Sequence, residues 1–178
     1  MMNRAHRSAK YITAAGLCLA LCLVLPFLSG QIRAIGNMLC LIHLPVLLCG
    51  FICGAPWGLA VGFIAPLLRS ALFHAPVFFP NAVGMAFELA AYGFVSGLLY
   101  RRFKKSTGGI YAALLLAMLA GRIVWGTVRF LLAGLAGSEF PFSAFLAGAV
   151  TEAIPGIILQ LILIPILVMS LQKTKLMD

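Results

Sequence analysis

Apolar positions run in long blocks along this chain, and the polar positions between them are few and clustered. A membrane-spanning helix needs about 20 consecutive apolar residues. The blocks predict helices over about 11–28, 38–54, 57–73, 81–100, 110–135 and 143–171. The expected fold is an all-α integral membrane protein with six transmembrane helices in one membrane domain covering 1–178. Almost nothing is left over for a soluble domain.

The connectors are short and carry breaker residues. Gly54-Ala-Pro-Trp-Gly58 is a tight turn, and Ala75-Pro-Val-Phe-Phe-Pro80-Asn81 is a stiff aromatic one. Pro45 and Pro66 fall inside apolar blocks, where each removes a backbone hydrogen bond, to the carbonyls of Leu41 and Gly62. The first block follows Arg4, Arg7 and Lys10, as in a signal peptide. It is longer than a signal core and no A-x-A-like site follows, so it is expected to be a retained first span.

Composition agrees with the pattern. The 178 residues are 63% hydrophobic and 10% charged, where soluble domains carry about 25% charged residues. The net charge of +9 does not imply nucleic acid, because the basic residues border the apolar blocks. Three precede the first block, four (Arg101, Arg102, Lys104, Lys105) follow the fourth and two (Lys173, Lys175) follow the last. Six spans put all nine on one side, leaving Arg33 alone in a connector on the other. The positive-inside rule then makes both termini cytoplasmic.

Five charges interrupt the apolar blocks: Arg69, Glu88, Arg122, Arg129 and Glu152. Each costs about 2.5–3.5 kcal/mol at mid-membrane on insertion scales, so they must pair or face a polar cavity. Pairs such as Glu88–Arg122 or Glu152–Arg129 would be a purely structural solution, and Arg69 can snorkel. Glu88, Ala91, Tyr92 and Val95 share one helical face. Arg122, Trp125 and Arg129 share another, where the indole can make cation–π contact. Counted by depth, His43, Arg69, Glu88 and Arg129 lie towards the outside, with Arg122 and Glu152 nearer the middle. The cytoplasmic halves are almost wholly apolar.

That asymmetry predicts a pocket open outward and closed below, unlike a channel or proton relay. The candidate binding residues are Glu88, Arg122, Trp125, Arg129 and Glu152, then Asn81 and His43. Three arginines against two glutamates favour an anionic or zwitterionic ligand. Phe78, Phe79, Phe87, Phe140 and Phe142 either wall the pocket or form an interfacial belt.

Catalytic signatures are missing. The chain has no GxxxxGK[ST], HExxH or GxSxG, and its only aspartate is Asp178. Cys18, Cys22, Cys40, Cys49 and Cys53 lack metal-type spacings and read as small packing residues. Neither metal nor cofactor is expected. No inverted repeat is evident, as many secondary transporters would show. A self-sufficient secondary transporter or channel is the alternative reading, with a membrane enzyme or assembly factor third. Small residues at four-residue spacing on the first helix (Ala14, Cys18, Cys22, and Gly16, Ala20) allow close helix approach, within the molecule or to a partner.

Several stretches together resemble the substrate-binding S components of energy-coupling factor (ECF) transporters. They are Ile42-His-Leu-Pro45 running into Gly54-Ala-Pro-Trp-Gly58 and Gly62, then Phe87-Glu-Leu-Ala-Ala-Tyr92, Leu119-Ala-Gly-Arg122, and Ala153-Ile-Pro-Gly156. The resemblance covers nearly the whole chain. It implies an S-component-like bundle of six helices binding a vitamin or precursor near the outer face. The partners would be a membrane coupling (T) subunit and two cytoplasmic ATPase subunits that supply ATP hydrolysis. The family's Ala-x-x-x-Ala docking stripe on the first helix has no match here; Gly16-x-x-x-Ala20 or Ala14-x-x-x-Cys18 would replace it. The resemblance implies residence in a bacterial cytoplasmic membrane and toppling of the whole subunit to release its ligand inside. Pantothenate suits the arginine excess, with thiamine precursors, pyridoxine-like compounds and queuosine precursors also open.

Overall fold

The computed structural model describes residues 4–29, 39–103, 106–138, 140–151 and 153–174. Every regular element among them is helical. Helix α1 (Arg4–Val24) ends in a 3-10 turn, Leu25–Ser29. Helices α2 (His43–Cys53), α3 (Ala55–Phe73), α4 (Val83–Arg102) and α5 (Thr107–Leu135) follow. The short α6 (Phe142–Leu146) and α7 (Ile154–Lys173) complete the described chain.

The helices run alternately up and down. The upper end carries 25–29, 39–42, 74–82 and 136–141. The lower end carries the α2–α3 and α4–α5 turns and the end of α7. Contacts at each end pin this arrangement. Arg69 Nη1 donates to the Leu23 carbonyl (2.8 Å) above, and Gln172 Nε2 donates to the Tyr100 hydroxyl (2.6 Å) below.

Among the described residues, five segments are long and apolar enough to cross a membrane: Ser8–Leu28, Ala55–Phe73, Phe78–Arg102, Thr107–Leu135 and Ile154–Lys173. Helix α2 is shorter than the 38–54 span expected from the sequence. Its 11 residues cover only about 16 Å. Most of its residues are buried, as an all-round apolar helix must be. Pro45 falls in its first turn, where its nitrogen has no helical partner to lose; the interruption lies just before it, in the turn 40–42, where Cys40 has φ 48°.

The run expected as one helix over 143–171 is also divided. Residues Ala147–Thr151 wind in a wide, π-type turn before α7 begins at Ile154. Pro155 is the reason: it cannot donate a helical hydrogen bond and crowds the turn before it.

Helix α4 is the centre of the bundle. Half of its membrane-length window is buried, against 22% for the first helix and 28% for the last. Its neighbours approach through missing side chains. A methyl group on Gly58 of α3 would strike the backbone of Gly93 on α4, and one on Gly62 would strike the Leu89 carbonyl. Gly54 turns the chain from α2 into α3 at φ 93°, a conformation glycine adopts without penalty. Arg101 Nη2 caps that junction by donating to the Cys53 carbonyl (3.1 Å).

The first helix shows a clean division. Ala15, Cys18 and Cys22 are buried, while Ile12, Gly16, Leu17, Ala20 and Val24 face outward. Cys18, Cys22, Cys49 and Cys53 belong to the packed core, as small apolar side chains would.

Candidate functional site

Three ionisable side chains from three helices meet inside the upper half of the bundle. Arg122 Nη1 of α5 lies 2.9 Å from Glu88 Oε1 of α4, and His43 Nε2, at the start of α2, lies 3.5 Å from the same oxygen. Glu88 and His43 are 2% and 5% exposed at their side chains, and Arg122 15%. Helix register explains the meeting. Gly121 lies against the Tyr92 ring with no room for a methyl group, which sets α4 and α5 so that Arg122, one residue on, reaches Glu88. Tyr92 also meets the His43 ring edge-to-face at 5.2 Å. Arg122 Nη2 donates to Cys40 Sγ (3.8 Å) in the turn before α2.

The cluster is paired in charge and incomplete in hydrogen bonding. Among the described residues, both His43 ring nitrogens, Glu88 Oε1 and Arg122 Nε are buried without a hydrogen-bond partner of good geometry. The Glu88–Arg122 contact is therefore an ion pair by distance without hydrogen-bond alignment at Oε1. A buried polar atom without a partner costs about 1–3 kcal/mol.

A second group lies above, where α4 faces the upper part of α5. Arg129 Nη1 donates to Asn81 Oδ1 (2.8 Å), and its guanidinium lies 5.4 Å from the Phe140 ring centre. Gly84 opens this spot: a methyl group there would sit 3.1 Å from Arg129 Cδ and 3.8 Å from Trp125 Cδ1. The Trp125 indole meets Phe140 edge-on (5.9 Å) and stacks on Phe145 (6.1 Å). Arg122, Trp125 and Arg129 thus lie along the side of α5 that faces α4, as their spacing predicted. The cation–π contact differs from expectation, since Arg129 engages Phe140.

A separate hollow of about 370 Å³ lies between α5 and α6, lined by Ile123, Thr127, Phe130, Phe140, Phe142 and Phe145. Ile123, Phe130 and Phe142 are exposed, so it opens away from the charged cluster. Thr127 is its one polar side chain, and its hydroxyl donates to the Ile123 carbonyl (2.9 Å).

The molecule is thus an α-helical bundle of membrane-length helices with a buried charged cluster near one end. The family model for the ECF transporter substrate-specific component matches residues 10–168. The chain belongs to this family. No curated protein and no solved structure matches it. As an ECF substrate-specific component it is a multi-pass membrane transport subunit, and not an enzyme.

The sequence-derived residues distribute unevenly over this S component. Glu88, Arg122 and His43 come together, and Asn81, Trp125 and Arg129 form the layer above. Glu152 lies outside the described residues. Of the expected phenylalanines, Phe140 meets Trp125 directly, and the exposed Phe142 stacks on Phe145 (5.8 Å). Phe87 is exposed and packs on Phe63 at 5.5 Å, and Phe78 and Phe79 are exposed. Arg69 is anchored elsewhere, between Phe27 and Phe73 (5.5 Å from each ring centre). On α1, Gly16 and Ala20 face outward and Cys18 faces the core.

Three residues escaped the sequence reading. Cys40 and Phe145 carry no local signal, because their contacts are long-range. Gln160 did carry one, as a lone amide in an apolar block. It is buried on α7, and its Oε1 has no hydrogen-bond partner among the described residues.

Proposed function

We propose that this subunit captures a vitamin or vitamin precursor, pantothenate or a similar small acid, at the upper end of the bundle. The observation that carries the reading is the buried His43–Glu88–Arg122 cluster, in which side chains of two other helices lie 2.9 and 3.5 Å from one Glu88 carboxylate oxygen. Charged groups inside spans are expensive and mark substrate sites. Asn81, Trp125 and Arg129 form the mouth of this site, and Glu152 is assigned to it from its place in the sequence.

In this reading α2 counts as a crossing, which gives six, with both termini on the cytoplasmic side of a bacterial cell membrane. Lys/Arg bias supports that orientation. The upper end then faces outside, where ligand arrives. Gly16 and Ala20, exposed on α1 with nothing within 4 Å of a methyl group at Gly16, offer the face for a membrane coupling subunit. Two cytoplasmic ATPase subunits would complete the importer and supply ATP hydrolysis.

The test is mass spectrometry of small molecules released from protein purified in mild detergent from its own host. A near-stoichiometric vitamin or precursor is expected, and it would name the substrate. Release of none, from protein that co-purifies with no ATPase subunit, would overturn the reading.

A further inference from the structure

The charges at the upper end are not equivalent. Arg122 is an ion-pair partner of Glu88, so its positive charge is already offset inside the bundle. Arg69 is sealed between Phe27 and Phe73 and spends Nη1 on the Leu23 carbonyl. Arg129 has neither arrangement among the described residues. Its one hydrogen bond goes to the neutral Asn81 side chain. It lies over Phe140 and packs closely against the buried Gly84. A guanidinium offers five donors, so most of its capacity is unspent.

Arg129 and Arg122 are seven residues apart on α5, which is about 10 Å of helix rise. Trp125 stands between them on the same side. Below, among the described residues, the nitrogens without a polar neighbour are Arg122 Nε and His43 Nδ1. With Glu88 and Arg122 paired, that end suits a neutral hydroxyl, carbonyl or amide better than a second anion, which would meet the Glu88 carboxylate.

We propose that the ligand is an elongated acid: its anionic group sits on Arg129 beside Asn81, and its uncharged polar end reaches Arg122 and His43. Trp125 flanks the middle. This rests on the solute-capture reading above and adds the ligand's polarity and length. Arg129 is then the specificity-determining residue for charge. Arg122 and His43 recognise the neutral end, and Glu88 positions Arg122.

The test measures binding to the full-length protein in detergent. The probes are pantothenate against panthenol and biotin against biotin amide, each pair differing at the acid group. Nicotinate serves as a short acid and thiamine as a cation. At least one long acid should bind about tenfold or more tightly than its neutral partner, the size of a charge-assisted hydrogen bond. Arg129→Gln should bring that pair to near equality, while Arg129→Lys should retain part of the preference. Binding of thiamine, or of a neutral partner as tightly as its acid, overturns the ligand assignment and leaves solute capture standing. Nicotinate binding as tightly as the long acids overturns the spacing. Acid preference that survives Arg129→Gln overturns the role of Arg129. Failure of both long acids to bind overturns the proposal, and the mass-spectrometric experiment then decides separately whether any solute is captured.

Discussion

Glu88 and Arg122 approach to 2.9 Å across the α4–α5 interface, and neither would be tolerable there alone. Their attraction offsets the cost of placing two charges in an apolar bundle, yet a buried ion pair adds little net stability over apolar packing. Removing one partner is different, because it strands the other. Glu88→Ala or Arg122→Ala should each cost about 3–5 kcal/mol of folding free energy. Glu88→Leu combined with Arg122→Met should recover most of that loss while abolishing ligand binding. Unfolding in detergent for the singles and the double checks this. A double variant as unstable as the sum of the singles would show that the two do not act as a pair.

The glycine contacts of α3 and α4 make a second prediction. Gly93→Ala places a methyl group against the Gly58 backbone, which cannot yield as a flexible side chain can. Overpacking of this kind typically costs about 1–3 kcal/mol. Gly134→Ala, with nothing within 4 Å, should be neutral or slightly stabilising through helix propensity. Thermal unfolding of the two variants gives the comparison.

Docking and capture should separate. Gly16→Leu with Ala20→Leu changes only the outward side of α1, away from the charged cluster. ATP-driven uptake should fall to background in cells, and binding by the purified subunit should stay within about twofold of wild type, since lipid-facing apolar swaps leave the interior packing alone. Retained uptake would move the docking face elsewhere.

Trp125 provides an internal probe. The only other tryptophan, Trp57, lies near the lower start of α3. Ligand binding should therefore change tryptophan emission in the Trp57→Phe variant and leave emission unchanged in Trp125→Phe. The reverse pattern would place the ligand at the lower end.

Orientation can be measured directly. A reporter fused after residue 178 should be active only in a form that folds in the cytoplasm, and a thiol introduced at Val77 should react with a membrane-impermeant reagent added outside. Labelling of that site only after lysis would invert the assignment.

The membrane class and the intramembrane charges were legible in the sequence because insertion cost is local. An apolar run of sufficient length, or a carboxylate inside one, carries its free-energy consequence whatever the neighbours are. Hence Glu88, Arg122, Arg129 and His43 stood out before any contact was known, and Gln160 could have. Which charges meet is a different matter. Arg122 reaches Glu88 because Gly121 admits the Tyr92 ring, and Arg129 reaches Asn81 one layer higher. Those outcomes depend on helix register and crossing, which join residues about 30 to 80 positions apart. Composition does not encode them. The same holds for α2, short and buried among its neighbours, and for α1, where a rotation by two residues would exchange Gly16 for Cys18 at the outer face. The chain's own chemistry decides that charges must be accommodated in the membrane; only the packed bundle decides which of them meet.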